Sequence, residues 1–370
     1  MIKKINLILL FFMVLILSSC SKYERLNQNI FTMGTVVNVK IDYKNKNEAE
    51  KHFKEIKKIF DYYHELATNE EASVNQYNNV YQINSEIKEA TEEQITIQVE
   101  KELYEMIELA LQIEKETTIN GVKYFDISMG EIIDEWKNWL KLEFENMSEA
   151  EKHQSLNTVK EKVAAIPLIN EGIALEKIGD THYLTVKKGV KIDLGAIAKG
   201  YALEEVKKYL EKSKVDSYLV NAGGSSIISG INRKKENRQY LIGLEDPVKS
   251  LNYKTGFYAK VNISNMGLTT SGNHKQFVKV EEDNQTSIYH HIISPHTKKP
   301  EMFYHTVTLF EENVALADGL TTALFNMPKE VLTTYLKEKD YHLILYQADE
   351  TIQLMFKEEL YDLQWEQGYR

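Results

Sequence analysis

Lys191-Ile192-Asp193-Leu194-Gly195-Ala196-Ile197-Ala198-Lys199-Gly200-Tyr201 is the densest run of informative residues in the chain. It reads as a strand end that delivers an acid, then a turn of small residues, then a helix starting near Ala198. Small residues let a ligand approach the backbone closely, and a helix N-terminus favours anions such as phosphate. Lys199 stands where it can reach the same phosphate. Strand-to-helix turns that carry an aspartate are common, so the run alone names no ligand.

The run also divides two textures. Upstream, Phe31 to Ile41 alternates and reads as a strand, while Asn47 to Glu65 places Phe53, Ile56, Ile59 and Phe60 at helical spacing. Ile95 to Glu116 reads as a second amphipathic helix, and residues 134–165 as a charged helical excursion at the surface. After Gly189 the chain turns to glycine turns and short apolar strands: Tyr218 to Val220, Gln239 to Leu244, Phe257 to Ile263, Gln276 to Val280, Thr306 to Phe310 and His342 to Tyr346. Ala315 to Phe325 and Lys329 to Lys337 read as helices. There are only 5 Pro, no low-complexity linker and no repeat of fixed period, so no internal boundary is visible. The pattern predicts an α+β fold, a largely antiparallel sheet with helices packed against it.

Four more segments carry residues of chemical interest. Val220-Asn221-Ala222-Gly223-Gly224-Ser225 sets two glycines after a strand, which permits close backbone approach or simply makes a turn. Leu268-Thr269-Thr270-Ser271-Gly272-Asn273 reads as a polar turn. In His290-His291-Ile292-Ile293-Ser294-Pro295 an imidazole is placed as a candidate base, or as a structural group. Within Ala315 to Ala323, Asp318 and Thr322 are four apart and share a helix face. A carboxylate and a hydroxyl there suit a hard cation such as Mg²⁺, or the Asp simply favours the helix dipole.

The N-terminus predicts export. Lys3 and Lys4 precede an apolar run from Ile5 to Leu17 that has the length of a signal h-region and is short for a membrane span. Leu17-Ser18-Ser19-Cys20 resembles the lipobox of bacterial lipoproteins, with Cys20 taking the lipid. Cys20 is the single cysteine, so no internal disulfide competes for it. The expectation is a signal peptide over 1–19, a lipidated Cys20 with a tether over 20–29, and a domain over 30–370 on the outer face of a cell membrane. The net charge of −10 argues against nucleic acid and against a basic membrane-binding patch. With no HExxH and no Cys/His cluster, a zinc site is not expected.

Taken together and in order, these segments resemble the ApbE family of FAD:protein FMN transferases. The match rests on Phe31-Thr32-Met33-Gly34-Thr35, Val80 to Asn84, Phe125-Asp126-Ile127-Ser128-Met129-Gly130, Asp193 to Tyr201, Asn221 to Gly224, Glu245-Asp246-Pro247, Thr270-Ser271-Gly272, His291-Ile292-Ile293, and Ala317-Asp318 with Thr322. It spans roughly residues 30–330. The resemblance implies a T-fold-like architecture and a reaction in which a Thr or Ser hydroxyl of an exported or membrane-bound redox protein attacks the FMN phosphorus of FAD and AMP leaves.

The resemblance further implies Mg²⁺ ligands at the Asp318 carboxylate, the Thr322 hydroxyl and the Ala196 carbonyl. It places Asp193 and Lys199 on FAD, lines the flavin site with Met33, Phe125, Asp126 and Ile292, and makes His291 the candidate base. Four positions depart from the family pattern: Ala196 for a glycine, Ser294 and Asn273 for aspartates, and Lys298 for a glycine. The competing readings are a lipid-anchored FAD-binding protein without transfer, a FAD pyrophosphatase, and a solute-binding lipoprotein. The last would show repeated parallel βαβ units, which are not seen.

Overall fold

A computed structural model describes residues 23–71, 77–282 and 285–369. The signal segment, Lys3, Lys4 and Cys20 lie outside the described residues.

Among the described residues, eight strands pair antiparallel throughout. Their order is Glu24–Thr32, Thr35–Tyr43, Tyr218–Ala222, Ser226–Ser229, Met266–Gly272, Tyr304–Glu311, His342–Gln347 and Ile352–Leu354. Side chains alternate across a strand, so each face acquires its own core. Val37, Val39, Ile41, Val220 and Ala222 point to one face and pack against helices. Leu219, Ile227, Leu268, Phe310 and Ile344 point to the other. They meet a second antiparallel sheet of Tyr240–Glu245, Phe257–Ile263 and Gln364–Trp365 through Ile242, Leu244, Tyr258 and Val261. The layers are helices, large sheet, small sheet.

The helical layer includes Lys46–Ala67, Lys101–Glu116, Ala198–Lys212 and Val314–Phe325. The last is apolar nearly all round, as expected of a helix enclosed by protein. It begins at Asn313, whose side chain accepts from the Leu316 N–H at 3.1 Å, while Glu204 accepts from the Val314 N–H at 3.1 Å. These bonds satisfy donors a helix start leaves open.

Several expectations are corrected. The strand read as Phe31 to Ile41 is a hairpin that turns at Met33 and Gly34, both at positive φ. Its first strand begins at Glu24, so residues 24–29, expected as tether, are part of the sheet. Ile95 to Glu116 is not one helix. Gln94–Val99 is a strand that joins Thr181–Lys187 and Ile173–Ile178, and the helix starts at Lys101. Thr270 to Gly272, read as a turn, ends the central strand Met266–Gly272. The charged excursion splits into helices Gly130–Leu140 and Glu149–Ala165 with a core of their own, where Trp136 stacks on Tyr289 at 5.8 Å.

Candidate functional site

The hairpin turn, the ends of Tyr218–Ala222 and Met266–Gly272, and the start of Tyr304–Glu311 lie at one end of the large sheet. A cavity of about 800 Å³ opens there. Met33, Phe125, Asp126, Asp193, Ala196, Lys199, His291, Ile292, Asp318 and Thr322 all line it. Every candidate side chain on the described residues is thus brought to one site.

Asp318 is a buried carboxylate of this lining. It sits in a largely apolar helix and is 5% exposed. Its Oδ2 accepts from the Gly200 N–H at 2.8 Å and its Oδ1 from the Ser226 hydroxyl at 3.2 Å. Burial pushes the carboxyl above its ordinary range, and Lys199, the Gly200 N–H and Ser226 pull it back only in part. Thr322 lies one turn on, 3.3 Å from the Ser271 hydroxyl. Helix geometry would direct the Gly200 N–H at the carbonyl of Ala196, four residues back. That N–H goes to Asp318 instead, and no hydrogen bond of the described residues takes the Ala196 carbonyl.

A carboxylate, a hydroxyl and an unengaged carbonyl are all hard oxygen donors, the set that suits Mg²⁺ with water completing its shell. An underneutralised buried carboxylate is what such a cation would compensate. Among the described residues no group of three His, Cys, Asp or Glu could hold a metal. Ala196 is not at positive φ, so its methyl group is accommodated where the family pattern has glycine.

The rim is built by buried polar clamps. Asp193 accepts from the Gly195 N–H at 2.8 Å, from Lys137 at 2.7 Å and from Asn69 at 3.2 Å. Asn84 donates to Asn69 at 2.7 Å and exchanges two bonds of 2.8 Å with the backbone of Ile192. Asp126 is occupied in a similar way, by the Ser128 N–H at 2.8 Å, its hydroxyl at 2.6 Å and Lys123 at 3.0 Å. Among the described residues Lys199 hydrogen-bonds only the Gly195 carbonyl, at 3.2 Å.

The two histidines separate. His290 Nε2 is 2.9 Å from the Glu301 carbonyl and its ring lies edge-on against Phe325, so it is structural. His291 faces the cavity with Nδ1 unpartnered. Burial lowers its pKa to about 3, helped by His290, Lys199 and Lys137. Its imidazole is neutral at neutral pH, and so low a pKa makes it a weak base in the free protein.

Of the other departures, Asn273 and Ser294 are buried and do not line the cavity. Lys298 does adopt the left-handed conformation, φ +57°. Its carbonyl accepts from Trp136 at 2.8 Å and its ammonium donates to the Ile166 carbonyl at 2.7 Å. Three contributors were invisible in the sequence: Lys137, inside the presumed excursion, Ser226 and Asn69. Asn84 could be found only as a weak motif position.

A sequence profile of the ApbE family matches residues 33–345. The chain is 25% identical over 323 residues to the FAD:protein FMN transferase of Haemophilus influenzae, covering 85% of this chain and 84% of that one. It is 24% identical to the enzyme of that name from Buchnera aphidicola, where the alignment spans only 61% of either chain. The fold is similar to the ApbE protein of Thermotoga maritima, with TM-score 0.69, 23% identity and coverage of 92% and 99%. It is also similar to the flavin transferase ApbE of Vibrio cholerae, with TM-score 0.65, 20% identity and coverage of 90% and 97%. With the profile running through the hairpin turn, the Asp193 turn and Asp318, this chain belongs to the ApbE family.

Proposed function

We propose that the chain transfers FMN from FAD to a Ser or Thr hydroxyl of another protein and releases AMP. The observation that carries this reading is the meeting of Asp318, Thr322 and the free Ala196 carbonyl with Lys199 and His291 on one cavity. The relatives that bear this activity in their names support it. The acceptor oxygen forms a bond to the FMN phosphorus, and the bond from that phosphorus to the bridging oxygen breaks. AMP leaves with the electron pair, and the hydroxyl proton passes to a base.

Asp318, Thr322 and the Ala196 carbonyl would hold Mg²⁺. When bound it neutralises charge on the phosphate oxygens. Lys199 and Lys137 attract the pyrophosphate to the helix start. Burial is the main cause of the lowered His291 pKa in the free protein, with smaller contributions from Lys199 and Lys137, and an anionic pyrophosphate beside them offsets that smaller part. The His291 Nδ1 then gains basicity when substrate is present and takes the acceptor proton. Phe125, Ile292 and Met33 offer the apolar surface for a flavin ring.

Cys20 carries a lipid that holds the chain on the outer face of a cell membrane, in the same layer as exported redox acceptors. This part of the reading rests on the lipobox resemblance. Loss of membrane association in Cys20→Ala tests it.

Full-length chain in detergent, given FAD, Mg²⁺ and extracted exported proteins, should leave covalent flavin fluorescence on protein bands, absent in Asp318→Ala. AMP release without labelled protein favours a pyrophosphatase. Tight FAD binding without turnover makes the chain a carrier and sinks the enzyme reading.

A further inference from the structure

The small sheet does not cover the large one completely. Tyr240–Glu245 is its edge strand, paired only with Phe257–Ile263. Among the described residues its backbone makes no hydrogen bond on the other side. Beyond that edge the large sheet carries the half-buried polar residues Asn38, Lys40 and Asn221. Cross-strand partners share a face, so Lys40 with Leu219, and Asn38 with Asn221, form a floor beside the strand, with Leu219 buried against the small sheet and the three polar residues half-buried. The cavity of the candidate site continues along this floor, lined by Lys40, Leu219, Asn221, Leu241 and Gly243.

Free edges are usually guarded by lysine, proline or a bulge. Leu241 to Leu244 has neither charge nor proline, and the register irregularity falls after it, at Leu244 and Glu245. Its outward side is apolar instead. Leu241 is 53% exposed and Phe257 46% exposed. Phe257 lies across the strand because position 243 is glycine; a Cβ there would meet its ring at 2.5 Å. On the far rim, Phe31 and Val36 face each other across the hairpin, 80% and 50% exposed. They flank the turn that holds Met33.

A flavin transferase must admit a polypeptide as well as FAD, and this groove runs into the cavity that holds Asp318. We propose that the acceptor docks as an extended segment along the open edge of Tyr240–Glu245, over the Lys40–Leu219–Asn221 floor, and so presents its hydroxyl to the site. Main-chain bonds to the edge supply affinity, and alternate side chains meet the floor and the Leu241–Phe257 shelf. Four edge residues span roughly 13 Å, so a short strand bridges the mouth to the interior. The proposal rests on the transferase reading.

The test uses full-length chain in detergent with FAD and Mg²⁺. The probe is exported and membrane protein extracted from producing cells that lack this chain, read as covalent flavin fluorescence on denaturing gels. Leu241→Lys and Phe31→Glu should lower labelling at least tenfold, with FAD affinity within twofold of native. Ile178→Lys, an exposed apolar position outside the cavity, should label as native. Labelling by both groove variants at the native level overturns the docking proposal alone. FAD cleavage by the native chain with no protein labelled overturns the transferase reading, and the proposal with it. A native dimer dissociated by Leu241→Lys with labelling unchanged assigns the edge to a second copy and also overturns it.

Discussion

The N–H of Gly200 donates to Asp318 Oδ2 at 2.8 Å, and a Cβ at position 200 would lie 2.4 Å from the Asp318 Cβ. Two helices from distant parts of the chain approach this closely only because position 200 lacks a side chain. Gly200→Ala should force them apart, costing about 1–3 kcal/mol, the usual range for overpacking. Denaturant unfolding would read the loss, and FAD turnover should fall with it. Native stability in this variant would show that the contact is soft.

Asp318→Asn keeps the shape and removes the buried charge. Without metal it should be as stable as native or slightly more so, because the desolvation penalty is gone. Mg²⁺ should raise the melting temperature of the native chain and leave the variant unmoved. Turnover should drop at least about a hundredfold, a loss of about 3 kcal/mol in transition-state stabilisation.

His291 sets a pH dependence of defined sign. Its folded pKa, about 3, lies below the ordinary 6.5. The unfolded chain therefore binds the proton more tightly, so the stability linked to neutral His291 is present above pH 6.5 and is lost as pH falls toward 3. His291→Asn should flatten the acid limb of a stability-against-pH curve by up to about 1.4 kcal/mol per pH unit in that window. Superimposable curves would mean the ring is not enclosed.

Asn84 bonds both the N–H and the carbonyl of Ile192. Asn84→Leu would leave two buried backbone groups unpaired, at about 1–3 kcal/mol each. A fall in melting temperature with a raised KM for FAD is expected, since Asp193 follows directly.

Much of the site was legible because its parts are local. The small residues around Asp193, the i,i+4 pair Asp318 and Thr322, and the His291 segment each have their logic within one turn of chain. The misread elements failed for equally local reasons. Gln94–Val99 alternates but abuts a helix with no breaker, so the two apolar patterns merge. Met33 lacks the mark of a turn because a non-glycine residue there takes positive φ.

The α+β class and the segments around Asp193, His291 and the Asp318/Thr322 pair could be read from the sequence, because short-range periodicity and turn chemistry are written in neighbouring positions, whereas Met33, Phe125, Asp126 and Ile292 followed from the family resemblance. What those residues meet depends on how distant segments pack. Lys137 reaches Asp193 from a segment with no visible link to it, and Ser226 and Gly200 converge on Asp318 across 92 and 118 positions. The same packing leaves the Tyr240 edge open beside the cavity. Such pairings depend on how sheet faces and helices pack over long separations, and no local pattern carries that information.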